Sequence, residues 1–282
     1  MKLHQPGSEV YVPDRTPTET ALRRTTHLCI AAHPDDIEIM APFAIVECFR
    51  RKDRRFAGVV VTNGAGSPRA GAYSTYTDFE MRIVRRDEQK RAARIGDFGA
   101  VVFLDYPSSA MKGRRRKDVS ADLANVLAAA RPEIVITHSP ADKHDTHVAV
   151  LLRTVEAIRS LPKSARPKRF FGGETWRDLD WMVDSDKVAW DVSANRALQL
   201  ALIRVYRSQV QGGKRYDLAA MGRRHAHATF SESHRTDVAR ALSLGMDLTP
   251  LIHNEKLSVA DYVESFVERF RRDVRQRIRK LE

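Results

Sequence analysis

An α/β fold is predicted, Rossmann-like and built on a mainly parallel sheet with helices on both faces, and three features of the chain predict it. Apolar runs without polar interruption recur, each run ends in a polar cluster, and each cluster opens a segment with helical spacing. Residues 27–32 (HLCIAA) are the first run and read as a buried strand. His33-Pro34-Asp35-Asp36 follows, and Ile39, Phe43, Ile45, Val46 and Phe49 give residues 37–50 a helical face. The order repeats with a strand at Phe56–Thr62, the turn Asn63-Gly64-Ala65-Gly66, and a charged helix over residues 79–95 that closes at Gly96. A third strand is predicted at 101–104, a third helix at 120–130 with Ser120 as its N-cap, and a fourth strand at 134–137. Further on, a strand at 188–192, a helix at 195–209 and an irregular stretch over 211–247 form a C-terminal α/β extension. The last helix starts near Ser258, where Ser258 and Asp261 resemble a capping box. Its Val263, Phe266, Val267, Phe270, Val274 and Ile278 give an amphipathic face expected to dock.

Composition narrows the class of molecule. The 282 residues are 43% hydrophobic and show no internal repeat or Gly/Ser/Pro linker, so one domain is expected over 1–282, its core at about 25–160 and its extension at about 165–282. No apolar run approaches the roughly 20 residues of a membrane span, and the chain opens on a hydrophilic stretch, so a cytoplasmic protein without membrane contact is expected. Cys29 and Cys48 stand alone in apolar surroundings, which argues against a disulfide framework and a thiolate metal site. Lys and Arg exceed Asp and Glu by 48 to 36, a formal charge of +12. That excess is dispersed (RRKDRR, VRRDEQKR, GRRRK, RRDVRQRIRK) and not interleaved with aromatics, which disfavours nucleic acid as a partner.

In sheets of this type ligands bind beyond the carboxyl ends of the strands, so the clusters after Ala32, Thr62, Leu104 and Thr137 should meet at one edge beneath the long loop over 64–77. His33 and Asp36 lie three apart at one strand end, and His144 and His147 lie three apart after another. Two such pairs facing each other can offer nitrogen and oxygen ligands in the form of a catalytic zinc site, three protein ligands and one open position. Adjacent carboxylates in a proline-fixed, buried turn also call for a compensating cation or donors.

These residues carry a resemblance. Ala32-His33-Pro34-Asp35-Asp36-Ile37-Glu38 is similar to the AHPDDxE signature of the LmbE-like (PIG-L) deacetylases, and Asp142-Lys143-His144-Asp145-Thr146-His147 is similar to their second histidine segment. Thr62-x-Gly64-x-Gly66, Arg85-x-x-Glu88, Leu104-Asp105-Tyr106-Pro107 and Ser208-Gln209 are weaker matches. The resemblance covers about residues 25–155. It implies a hydrolase that removes an N-acetyl group from an acetylated amino sugar or its conjugate by attack of a metal-bound water. His33, Asp36 and His147 would hold zinc, or iron(II) as the alternative, Asp35 would be the general base, and His144 would assist at the oxyanion and leaving amine, the choice between Asp35 and His144 as proton donor staying open. The chain departs from the family at Thr146, where Asp is usual, which leaves Asp142, Asp145 and the Thr146 hydroxyl as rival orienting groups.

Asn63 and Arg69 are candidate substrate contacts, and Glu174, Trp176, Asp178 and Trp181 a candidate sugar-stacking surface. His225, His227 and His234 form a weak candidate for a second metal site. Hydrolysis of another amide, in a thiol conjugate or glycopeptide acyl chain, is the nearest competing function. A non-catalytic binder of anionic polymers is a more distant one, and a homo-oligomer is left open.

Overall fold

A computed structural model describes residues 1–111, 113 and 117–282; Lys112 and the arginines 114–116 of the basic GRRRK segment lie outside the described residues. In chain order the elements are β1 (Glu9–Tyr11), α1 (Thr18–Arg23), β2 (His27–Ala31), α2 (Asp36–Met40), α3 (Pro42–Cys48), β3 (Phe56–Thr62), α4 (Asp78–Ile95), β4 (Ala100–Tyr106), α5 (Ser108–Met111) and α6 (Lys117–Ala130). Then follow β5 (Ile134–His138), α7 (Asp145–Ser160), β6 (Arg169–Gly173), β7 (Lys187–Asp191), α8 (Arg196–Arg204), α9 (Arg207–Val210), α10 (Tyr216–Thr229), β8 (Leu242–Asp247), α11 (Thr249–His253) and α12 (Val259–Leu281).

The strands form one eight-stranded sheet in the order β1-β4-β3-β2-β5-β6-β8-β7. The five central strands, β4, β3, β2, β5 and β6, run parallel, while β1, β8 and β7 add antiparallel edges. From β2 the chain winds outward through β3 and β4, then returns to the other side of β2 with β5. The winding therefore reverses between β2 and β5, where open α/β sheets leave a crevice. Every residue of β2, β3 and β4 is buried, as central parallel strands covered on both faces require. One apolar layer joins the sheet to α6, α7 and α11 through Leu123, Val126, Leu151, Val155 and Leu251. The opposite layer joins it to α2, α3 and α8 through Ile37, Phe43, Ile45 and Leu202.

Several boundaries differ from the sequence reading, each for a local reason. The helix expected over 37–50 is two, because Pro42 cannot supply a backbone donor and starts α3 at its first turn. Ser120 is not an N-cap: α6 begins at Lys117, and the Ser120 hydroxyl donates to Glu156 Oε2 at 2.7 Å. The segment 195–209 breaks near Tyr206 into α8 and α9. The stretch expected to be irregular contains α10, whose polar sequence hides its period, and β8, which pairs with β6 through Gly245–Asp247 and with β7 through Leu242–Met246. In β6 the pair Gly172-Gly173 obscured a strand; a Cβ on Gly173 would stand 2.7 Å from the Met40 carbonyl oxygen, so the strand needs glycine to pass α2. The last helix docks only over its first half, through buried Phe266, the Tyr262 hydroxyl donating to the Asp247 carbonyl, and Arg269 paired with Asp186. Val267, Phe270, Val274 and Ile278 are exposed.

Cys29 and Cys48 are free and buried, and among the described residues no helix is long and apolar enough to cross a membrane. Where β2 begins, burial, reinforced by the positive charge of Arg54, pushes His27 down to about 4. The unfolded chain takes up this proton near pH 6.5 and the folded chain does not. The stability involved is therefore complete above pH 6.5 and is lost as pH falls toward 4, at up to about 1.4 kcal/mol per pH unit. His27→Gln should flatten the melting-temperature curve between those limits; an unaltered slope would assign acid sensitivity to other groups.

Candidate metal centre and active-site cleft

The polar turn after β2 meets the first turn of α7, which follows β5, at the crevice between those two strands. His33 Nδ1, Asp36 Oδ2 and His147 Nε2 form a nearly equilateral triangle, with separations of 3.2 Å between His33 and Asp36, 3.2 Å between His33 and His147, and 3.3 Å between His147 and Asp36. Donors placed tetrahedrally at zinc–ligand distances of about 2.0–2.1 Å are about 3.3 Å apart, so the three atoms present the spacing such an ion requires. Asp36 is locked further by the His33 amide, which donates to its Oδ2 at 2.7 Å.

His147 is held from behind. Its Nδ1 lies 3.2 Å from Asp142 Oδ2, and Asp142 also accepts from the amides of His144 (3.0 Å) and Trp176 (3.1 Å). An Nδ1–H donated to Asp142 leaves the Nε2 lone pair for a ligand. Of the rival orienting groups, Asp142 is the one hydrogen-bonded to the ring, while Asp145 is exposed at the start of α7. Asp36 and Asp142 together drive His147 up to about 9, against its burial.

His138, at the carboxyl end of β5, was not singled out in the sequence, although a histidine closing a buried strand was the available signal. Its ring stacks on His147 at 3.9 Å, and its Nε2 lies 3.5 Å from Asp36. Its Nε2 lone pair is already engaged, accepting from the Ala32 amide at 2.8 Å, while Nδ1 faces Thr175 Oγ1 at 3.1 Å. Burial holds His138 well below the usual histidine range, so it acts as a neutral wall behind the donors.

Asp35 occupies the left-handed region (φ 91°), a conformation that costs a non-glycine residue about 1–2 kcal/mol and turns its carboxylate into the cleft. Gln89 Oε1 accepts from its amide at 3.3 Å, and Arg85 donates to the neighbouring Pro34 carbonyl. Arg85 also pairs with the Asp35 carboxylate at 3.0 Å, both side chains being buried. Burial raises Asp35 above the carboxylate range against the pull of Arg85. Glu88 stands 3.6 Å from Arg85 and accepts from both the amide and the hydroxyl of Ser208, which ties α4 to α9 beneath the cleft. Gly64, at φ 72°, is needed above this ion pair because a Cβ there would press to 3.1 Å of Arg85 Cβ.

The donors open on a cleft of about 480 Å³ whose walls include Ser67, Ser108, Ser109, His144, Trp176, Gln209, Lys214 and Tyr216. The His144 ring lies 5.1 Å from that of His33 and 4.5 Å from that of His147, and among the described residues its buried Nδ1 has no hydrogen-bond partner. Burial and the neighbouring imidazoles push His144 down to about 4. Lys214 Nζ sits 4.9 Å from the centre of the Trp176 ring. Asn63 and Arg69 are not brought to this cleft. Asn63 caps its own turn through the Ala65 amide, and Arg69 pairs with Asp78 and the Ala65 carbonyl. Of the proposed stacking surface Trp176 reaches the cleft, whereas Trp181 packs on the core and Glu174 binds His227 at 2.9 Å. His225 and His227 lie on α10 and not on a strand, His225 facing the Arg240 carbonyl, and no second metal cluster forms there among the described residues.

Residues 28–158 match the family model described as PIG-L, GlcNAc-PI de-N-acetylase. The matched segment supplies the whole donor triangle, Asp35, Arg85, Asp142 and His144. No curated protein matches the chain significantly. The fold is shared with solved structures at low identity. The N,N'-diacetylchitobiose deacetylase of Pyrococcus horikoshii is 17% identical with a TM-score of 0.65, over 89% of this chain and 93% of that one. GalB of Pseudomonas putida, a 4-carboxy-2-hydroxymuconate hydratase, is 20% identical with a TM-score of 0.61, over 79% and 96%. A conserved protein of Thermus thermophilus is 19% identical with a TM-score of 0.61, over 79% and 94%. At these identities the likeness is one of fold, so the PIG-L chemistry has to be argued from the site.

Proposed function

We propose that the protein is a metal-dependent hydrolase that removes the N-acetyl group of an acetylated amino sugar or its conjugate, with zinc as the resident ion and iron(II) as the alternative that a two-histidine, one-carboxylate set allows. The observation that carries this reading is the donor triangle of His33, Asp36 and His147, flanked in the cleft by Asp35 and His144. His33, Asp36 and His147 would hold the ion, and Asp142 would fix the tautomer of His147. A divalent ion supplies Lewis acidity toward the amide carbonyl and lowers the pKa of water toward neutrality.

The remaining work falls to side chains of this chain. Asp35, raised toward neutrality yet paired with Arg85, is suited to take the proton of the attacking water. As the new C–O bond forms and the C–N bond breaks, the amine needs a proton. Asp35, which lines the cleft beside Asp36, would carry that proton and return it to the nitrogen. Neutral His144 then serves as a hydrogen-bond donor to the oxygen that gains charge. The indole of Trp176 with the hydroxyl, amide and ammonium groups of Ser108, Ser109, Gln209 and Lys214 suits a hydroxylated ring.

Metal analysis of the purified protein, followed by assay of a panel of N-acetyl amino sugars, tests the proposal. About one divalent ion per chain is expected, with acetate and free amine released in equal amounts. Because a hydratase shares the fold, the free amine is the discriminating product. Hydration of an unsaturated acid without amine release, or nucleic-acid binding without hydrolysis of any N-acyl amine, would overturn the reading.

A further inference from the structure

Trp176 and Tyr216 separate the cleft from a second cavity of about 230 Å³, lined by Ile39, Thr175, Ala219, Ala220 and Arg223 and also reaching Asp36. The two spaces thus share Asp36, one corner of the donor triangle. An amide gripped at its carbonyl has two substituents to lodge, one on nitrogen and one on carbon, and the two sets of walls differ in kind. The cleft offers hydroxyl, amide and ammonium groups beside Trp176, fitting a hydrophilic amine component. Beyond the shared Trp176 and Tyr216, the second chamber offers Ile39, Ala219, Ala220 and Thr175, with the cation Arg223 and, where it meets the cleft, Asp36.

That cation makes no ion pair among the described residues. Arg223 Nη1 donates to the Thr175 carbonyl at 2.7 Å, and no carboxylate pairs with Arg223 among the described residues. Its neighbour Arg224 is buried and turned to the carbonyls of Glu38 and Ile39, with Glu174 as the carboxylate that acts on its charge. The chamber also far exceeds the about 10–15 Å³ that lodges one water, so an acetyl methyl would leave it largely unfilled.

We infer that this chamber is the acyl subsite and that it takes an acyl group longer than acetyl ending in a carboxylate, such as a succinyl or glutaryl half-amide, whose distal carboxylate pairs with Arg223. The inference rests on the metal-dependent amide hydrolase of the reading above and replaces its acetyl group with a longer, acidic acyl group. Hydrolysis of such a half-amide consumes one water and yields a dicarboxylate and the free amine.

The test compares N-acetyl-, N-butanoyl- and N-succinylglucosamine as substrates of the metal-loaded wild type and of Arg223→Ala, Arg223→Lys and Ala220→Leu, with succinate binding followed separately by calorimetry. The wild type is expected to favour the succinyl substrate. Losing one charge-assisted pair in Arg223→Ala should lower the succinyl-to-acetyl ratio of kcat/KM roughly 10- to 100-fold, with weaker succinate binding and partial rescue in Arg223→Lys. Ala220→Leu should lower the ratio of both longer substrates to acetyl by filling the chamber. Acetyl preferred by the wild type, or a ratio untouched by Arg223→Ala, would overturn the subsite while leaving the hydrolase reading in place. No amine from any substrate would overturn the hydrolase reading and the acyl assignment together.

Discussion

Alanine at position 36 should leave the protein without a stoichiometric divalent ion and without turnover above background. Asp36 Oδ2 is the one anionic corner of the triangle, 3.2 Å from His33 Nδ1 and 3.3 Å from His147 Nε2, and it also takes the His33 amide. Removing it leaves two imidazoles and no anionic donor among the three. Residues that merely orient a metal ligand cost about 10- to 100-fold in affinity or activity when lost, and removal of a ligand itself should exceed that. The measurement is metal content with activity, alongside circular dichroism to confirm that the sheet has formed. An Asp36→Ala protein that keeps both ion and activity would remove the triangle as the working site.

Asp35→Asn should keep the ion and lose about 10²–10⁴-fold in kcat, the usual contribution of a general base. Asparagine is a mild probe because, like aspartate, it is among the side chains that enter the left-handed region the backbone adopts here. The substitution also strands Arg85. That guanidinium is buried, and its remaining carboxylate, Glu88, lies at 3.6 Å and is shared with Ser208. Breaking a buried pair from one side costs about 3–5 kcal/mol, so a lower melting temperature should accompany the kinetic loss. Undiminished kcat at parental metal content would reduce Asp35 to an anchor for Arg85.

The sequence was most legible where chemistry and geometry coincide in a few consecutive residues. The apolar run 27–32 followed by His33-Pro34-Asp35-Asp36 announces a strand, its end and a polar site together, and the structure has all three. His144 and His147, one turn apart, were equally plain. What escaped is settled only by tertiary contact. His138 reads as the last letter of an apolar strand until its ring is seen against His147. Gln89 lies in a charged helix with no local mark of its bond to the Asp35 amide. Arg69 and Asn63 looked available because a sequence does not disclose that their own loop already occupies them. β6 and β8 were obscured because their glycines serve the passage of neighbouring backbone and side chains, not strand propensity.

The family-matched segment ends at residue 158, and every wall of the site contributed by Trp176, Gln209, Lys214, Tyr216 and Arg223 comes after it. Apart from Ser108, Ser109 and Ile39, the walls proposed to select the substrate thus follow the proposed reacting groups in the chain, joined to them through the sheet by β6 beside β5 and through the cleft floor by Ser208 on Glu88. Exchange of residues in the later stretch can retune which molecule enters without disturbing the atoms that would cleave it. For an engineer this makes α10 and the Trp176 loop the place to diversify, and the first 158 residues the part to leave alone.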